Sequence, residues 1–238
     1  MITSLEALLP GDVVLTSHNV FDRNALCIKL ANFFNRGLPF KDWTHAALYI
    51  GNGQVVEACP DGVKITDLQK TYINNNYELI VLRHKNASAA QLKVAVDFCK
   101  LETGDKYDWL GLTYFLLYNF IPLQFHFLLE DDFIGSMFHV SNSYFCSELV
   151  STGFQKAGVY CFEWEPYKVM PVEFYNDLLF KVVTRFGPEK AINKWLRIPY
   201  YMASIVCIGL TIALMVVFGI FVAIEWIIHR FRRYLHPA

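Results

Sequence analysis

The sequence predicts an α+β domain, an antiparallel sheet packed on helices, followed by one C-terminal transmembrane helix. Three observations lead there. Strand-like runs at 11–17, 43–50, 54–58 and 77–84 and helical patterns such as 88–104 and 146–158 fall in separate blocks, as α+β folds arrange them. At 238 residues the chain is long enough for one well-buried domain and something smaller. Its 54% hydrophobic content exceeds the roughly 45–50% usual for soluble domains. The excess gathers in "IPYYMASIVCIGLTIALMVVFGIFVAI", uncharged from Ile198 to Ile224 and long enough to cross a hydrocarbon core of about 30 Å.

Taken in order, "GDVVLTS" (11–17) follows a Pro-Gly turn and opens as a strand. Asp22 is an N-cap for "RNALCIKLANFFNRG", where Leu26, Leu30, Phe33 and Phe34 recur at helical spacing and Gly37 is the stop. "WTHAALYI" (43–50) and "QVVEA" (54–58) read as two strands joined by "GNG", and "YELIVLRH" (77–84) as another. "SAAQLKVAVDFCKLETG" is a helix ending at Gly104. The segment 110–129, "LGLTYFLLYNFIPLQFHFLL", is nearly uncharged, but Asn119, Pro122 and Gln124 interrupt it, which favours a helical hairpin over a second clean span. It fits core, the wall of an apolar pocket, or a surface dipping into the membrane interface. "CSELVSTGFQKAG" (146–158) is a helix stopped by Gly158, and "VEFYNDLLFKVVTRF" after Pro171 is a short helix running into a last strand. Residues 1–187 are therefore assigned to the domain, 188–198 to a juxtamembrane linker, 199–228 to the transmembrane helix and 229–238 to a basic tail. Tyr200, Tyr201 and Trp226 stand as its interfacial aromatics.

A formal net charge of −1 gives no electrostatic reason to expect a nucleic-acid partner. The N-terminal stretch, with Glu6 and Asp12, lacks a secretory pattern, so a reducing compartment and a cytosol-facing domain held by its tail are expected. The six cysteines, Cys27, Cys59, Cys99, Cys146, Cys161 and Cys207, show no framework spacing and are expected to be free thiols. His18, His84, His126 and His139 lack metal-ligand spacing and read as surface or satisfied histidines. Cys59 and Cys99 read as structural, Cys59 close to Glu57 at a strand end. No cofactor and no metal are expected; "GNG" is too short for a phosphate loop.

The chemistry lies elsewhere. On a helix from 146 to 158, Cys146, Leu149, Val150, Gly153, Phe154 and Ala157 share one face. Cys146 thus points at the domain from the first turn, where unpaired N–H groups and the helix dipole favour a thiolate. A thiolate needs a base, and His45 is the candidate. If "GNG" is a three-residue connection, Ile50 pairs with Gln54, Ala47 opposes Glu57, and His45 lies diagonally from Glu57 on the same sheet face. A two-residue Asn52-Gly53 turn shifts the register by one and puts them on opposite faces. In the first case Glu57 holds one ring nitrogen of His45 while the other faces the sulfur, the logic of an activated nucleophile.

"THAALYIGNGQVVEA" followed about a hundred residues later by "YFCSELV" resembles the circularly permuted NlpC-type papain-like cysteine hydrolases. The YiiX/YaeF-like group is nearest, and the lecithin–retinol acyltransferase-like enzymes are similar. The order His45, Glu57, Cys146 is that of the permuted branch, and "PGDVVL", "KYDWLGL" and "MPVEFYN" also look like it. The resemblance covers about residues 8 to 180 and implies Cys146 as nucleophile, His45 as base and Glu57 as the third polar residue. The acyltransferase-like branch has a second histidine at that third position, so Glu57 favours the YiiX-like side. Tyr144 and Ser147 are expected at the substrate, with backbone N–H groups near Cys146 and Ser147 facing an oxyanion. The expected function is a membrane-anchored thiol hydrolase or acyl-transfer enzyme acting on an ester, amide or thioester, with the lipid bilayer as partner and a lipid or lipid-linked substrate. The alternatives are a cell-wall peptide amidase of the same chemistry and a non-catalytic, membrane-anchored interaction module.

Overall fold

In the run "DVVLTS" three consecutive residues, Val13, Val14 and Leu15, are fully buried, so this strand is covered on both faces. It is β1 (Val13–Ser17), the middle of a six-stranded antiparallel sheet. The other strands are β2 (His45–Gly51), β3 (Gln54–Cys59), β4 (Gly62–Asp67), β5 (Glu78–His84) and β8 (Phe180–Phe186), in the order β4-β3-β2-β1-β5-β8. A separate parallel pair joins β6 (Lys106–Tyr107) to β7 (Ser143–Tyr144), which ends two residues before Cys146. The helices are α1 (Ala89–Leu101), α2 (Trp109–Phe120), α3 (Cys146–Lys156) and α4 (Pro171–Asn176). The computed structural model describes residues 5–17, 43–75, 77–120, 142–163 and 165–187, with side chains of α2 described as far as Tyr114.

The α+β class with an antiparallel sheet on helices is what the segregated patterns predict. β4, which the sequence reading passed over, follows a Pro60-Asp61 connection and pairs Cys59 with Gly62. The expected helix at 22–37, the segment beyond Phe120 in 110–129, and the linker, transmembrane helix and tail at 188–238 lie outside the described residues. Among the described residues no helix is long and apolar enough to cross a membrane.

One sheet face presents Val13, Leu15, Ala46, Leu48, Val56, Ile80 and Leu82 to Leu149, Val150 and Phe154 of α3 and Ala95, Val96 and Cys99 of α1. The opposite face, with Val14, Ala47, Tyr49, Val55, Leu79 and Val81, is closed by Leu8, Leu68 and Tyr72, the last from a wide helical turn at Gln69–Ile73. The Ser88 hydroxyl receives the Gln91 N–H and Gln91 Oε1 receives the Ser88 N–H, a capping box that fixes the start of α1. Gly153 sets how near α3 comes to α1: a methyl group there would stand 2.6 Å from Cys99 Sγ and 3.2 Å from the Ala95 carbonyl oxygen. Arg83 clamps the start of β1, donating Nε and Nη2 to the two carboxylate oxygens of buried Asp12, each at 2.7 Å.

Candidate active site

The β2–β3 hairpin decides whether His45 and Glu57 can meet. Asn52 and Gly53 have φ of 53° and 73°, the paired left-handed residues of a two-residue hairpin turn. Gly51 accordingly pairs with Gln54. Alone, this register would put His45 and Glu57 on opposite faces. However, a bulge between Tyr49 and Gly51 absorbs one residue, and the pairs beyond it are Tyr49↔Val55 and Leu48↔Val56. The turn is therefore the short one, while the register past the bulge is that of the long one, correcting the simple choice between the two. An extra residue on one strand restores parity.

With parity restored, His45 Nε2 lies 2.6 Å from Glu57 Oε2. Two hydroxyls hold the carboxylate: Thr66 donates to Oε1 at 2.6 Å, and the Tyr72 phenol donates to Oε2 in a short bond. Glu57 is buried to 1% exposure. Burial by itself would raise its pKa, but the hydrogen bond and charge of His45, with the Thr66 and Tyr72 bonds, bring it down to about 2. The carboxylate is thus an anchored negative charge.

The Cys146 thiol neighbours the same imidazole, and hydrogen bonding and charge between the two shift both groups. For His45, burial is the largest influence and acts to lower the pKa; hydrogen bonds to Cys146 and Glu57 and their charges outweigh it and hold it well above 6.5. For Cys146, burial pushes the thiol up, and the His45 bond and charge, with the backbone N–H groups of Ala46 and Ser147, bring it below its ordinary value. The directions agree: this pair favours thiolate and imidazolium.

Backbone geometry explains the two N–H groups. Ser147 is in the first turn of α3, where amides lack intrahelical partners. Along β2 the N–H of Tyr49 goes to Asp12 of the β1 side, so the alternate N–H groups, including that of Ala46, point toward β3. The β2–β3 register runs from Gly51↔Gln54 to Leu48↔Val56, and beyond it the Ala46 N–H goes to sulfur instead.

The other expected site residues occupy different positions. The Ser147 side chain is fully buried and donates to the Val169 carbonyl at 2.7 Å, so the backbone of Ser147, not its hydroxyl, faces the sulfur. The Tyr144 ring packs edge-on against Phe98 and its hydroxyl bonds to Glu102 at the end of α1, a packing position. Four residues near the centre escaped the sequence reading. Thr66 and Tyr72 hold Glu57; for Thr66 the signal was the "PDG" turn, which puts residues 57 and 66 on one face through the pairs Glu57↔Lys64 and Val55↔Thr66. Glu148 and Asp108 are buried carboxyls near Cys146. Burial above all, with the Asp108 and Cys146 charges, pushes the Glu148 carboxyl up to about 8, against the opposing Phe145 N–H bond. It stays largely protonated at neutral pH and adds no negative charge behind the sulfur.

Cys59, Cys99, Cys146 and Cys161 are free thiols. His84 is buried and its Nδ1 accepts the N–H groups of Asn86 and Ala87 at 3.2 and 2.9 Å, which accounts for one of its two ring nitrogens. Compared with known proteins, the chain matches no family model and no curated protein.

Proposed function

We propose that residues 1–187 form a thiol hydrolase or acyl-transfer domain, that 199–228 anchor it in a membrane, and that its substrate is a lipid or lipid-linked ester, amide or thioester. The observation that carries the proposal is a single imidazole bonded to a buried, anchored carboxylate and shifting, by hydrogen bonding and charge, a sulfur at a helix head.

The Cys146 thiolate attacks the carbonyl carbon, and the carbonyl π pair moves onto oxygen, which faces N–H groups at the head of α3. Collapse of this tetrahedral species re-forms the carbonyl and breaks the bond to the leaving group, which takes the proton from His45. A thioester on Cys146 results. His45, now neutral, accepts a proton from water or another acceptor as it attacks the thioester, and returns it to sulfur on release. Glu57 keeps the ring oriented and stabilises its charged form. The apolar substrate class is supported by the uncharged run from Ile198 to Ile224 and by Trp109 and Leu110, half-exposed at the head of α2, one turn from Tyr107.

The test is incubation of the full chain in detergent with phospholipids, N-acylated amines and peptide amides, followed by peptide-resolved mass spectrometry. An acyl adduct on Cys146 from the lipid substrates, absent in Cys146→Ala and His45→Ala, is expected. Adducts or cleavage from peptide amides alone would move the assignment to the peptide amidase, and an inert Cys146 with every class would overturn the enzymatic reading.

A further inference from the structure

Cys59 has no part in the acyl-transfer scheme, yet it follows Glu57 by two residues on β3 and so shares its sheet face. One ligand-type atom each from His45, Glu57 and Cys59 lie within 4.8 Å of one another. Imidazole nitrogen, carboxylate oxygen and thiolate sulfur together are donors that suit zinc rather than calcium or magnesium. We propose that His45, Glu57 and Cys59 form an inhibitory binding site for a soft divalent cation, zinc by its donor chemistry.

The dimensions allow it. Around tetrahedral zinc, with bonds of roughly 2.0–2.3 Å, neighbouring donor atoms stand about 3.3–3.8 Å apart. His45 Nε2 and Glu57 Oε2, now at 2.6 Å, are a nitrogen–oxygen pair with the shorter bonds and must part by about 0.7–0.9 Å to reach that spacing. Cys59 closes from the other side by a side-chain rotation at a strand end, where it is only partly buried. A carboxylate offers about four lone-pair sites, and His45, Thr66 and Tyr72 occupy three. The metal displaces the His45 bond, and Thr66 and Tyr72 continue to hold the carboxylate from outside, the support that metal ligands require. Three protein ligands leave a fourth position for water.

Occupancy switches the imidazole off. A cation on Nε2 takes its lone pair and fixes the remaining ring proton on Nδ1. The ring can then neither accept a proton from a nucleophile nor release one to a leaving group. The inhibitory consequence rests on the hydrolase reading; the binding does not, and the two are measured separately.

Calorimetric titration of the full chain with zinc, and with cobalt to read the thiolate-to-metal absorption band, tests the binding. One ion per chain is expected, weakened at least tenfold by Cys59→Ser and by His45→Ala and changed less than threefold by Cys146→Ser. The cobalt band is expected to vanish in Cys59→Ser and persist in Cys146→Ser. For the inhibitory role, stoichiometric zinc should abolish acyl transfer to Cys146 in the wild type, while Cys59→Ser, with unchanged basal turnover, should require at least tenfold more. Equal affinity in the wild type and Cys59→Ser, a band that follows Cys146, or activation by zinc would each overturn the proposal.

Discussion

Glu57→Gln separates the charge of the His45–Glu57–Cys146 cluster from its shape. The amide oxygen can take the place of Oε2 and keep the bonds from Tyr72 and His45. Its NH2 then faces Thr66, whose hydroxyl rotates to accept rather than donate. Packing and hydrogen bonding survive, and one buried negative charge goes. A carboxylate at hydrogen-bond distance raises a histidine pKa by about 1–3 units, each worth about 1.4 kcal/mol. The ratio of thiolate–imidazolium to neutral pair should therefore fall by about 10- to 1,000-fold. Iodoacetamide labelling of Cys146, resolved by peptide mass spectrometry across a pH series, reads that ratio. The wild type should label well below the pH at which an ordinary thiol ionises, because Cys146 is lowered and His45 raised. In the variant the rising limb should move upward by at least one unit. A folded Glu57→Gln protein whose labelling profile overlays the wild type would refute the role given to the carboxylate.

The Glu57 carboxyl falls from 4.5 to about 2 on folding, so it contributes about 3 kcal/mol above pH 4.5 that is lost as pH drops through its folded value; acid denaturation should be shallower in Glu57→Gln. Glu148 acts with the opposite sign: its folded value near 8 exceeds the ordinary 4.5, so ionisation in the unfolded state destabilises the fold as pH rises between them, and Glu148→Gln should raise the denaturation midpoint at pH 8 by an amount that shrinks toward acid. Gly153→Ala drives a methyl group into Cys99 and should cost about 1–3 kcal/mol by chemical denaturation. Cys99→Ala opens that space, so the double variant should be more stable than the sum of the two losses predicts.

How far the sequence speaks depends on the range of the interaction behind each feature. Local signals place β1, β3, β5, α1, α3, α4 and β8, because alternation, helical spacing and glycine stops are short-range. The buried side of α3 is wider than its apolar stripe: Ser147, Glu148 and Ser151 are also buried. That follows from the turn at Pro166–Lys168 lying over the helix, where Ser151 donates to the Pro166 carbonyl at 3.3 Å, and the helix's own pattern carries no trace of it. Residue type, strand parity and the helix-head position bring His45, Glu57 and Cys146 to notice. Tyr72 carries no such mark. It reaches Glu57 from a turn 15 residues away, and nothing in "QKTYINNN" says what its hydroxyl will meet. The Ala46 N–H is legible only from strand pairing, since every residue but proline offers one.

Counting residues in β2 shows what the meeting of His45 and Glu57 depends on. Ile50 stays out of the ladder, between the pairs Gly51↔Gln54 and Tyr49↔Val55. Were it to pair with Val55, the segment upstream would turn over by one position, and Thr44 and Ala46 would stand where His45 and Ala47 now do. Deleting Ile50 would instead join the two pairs directly and leave His45 on the face of Glu57, so the arrangement tolerates a shorter strand but not an unbulged one of the present length.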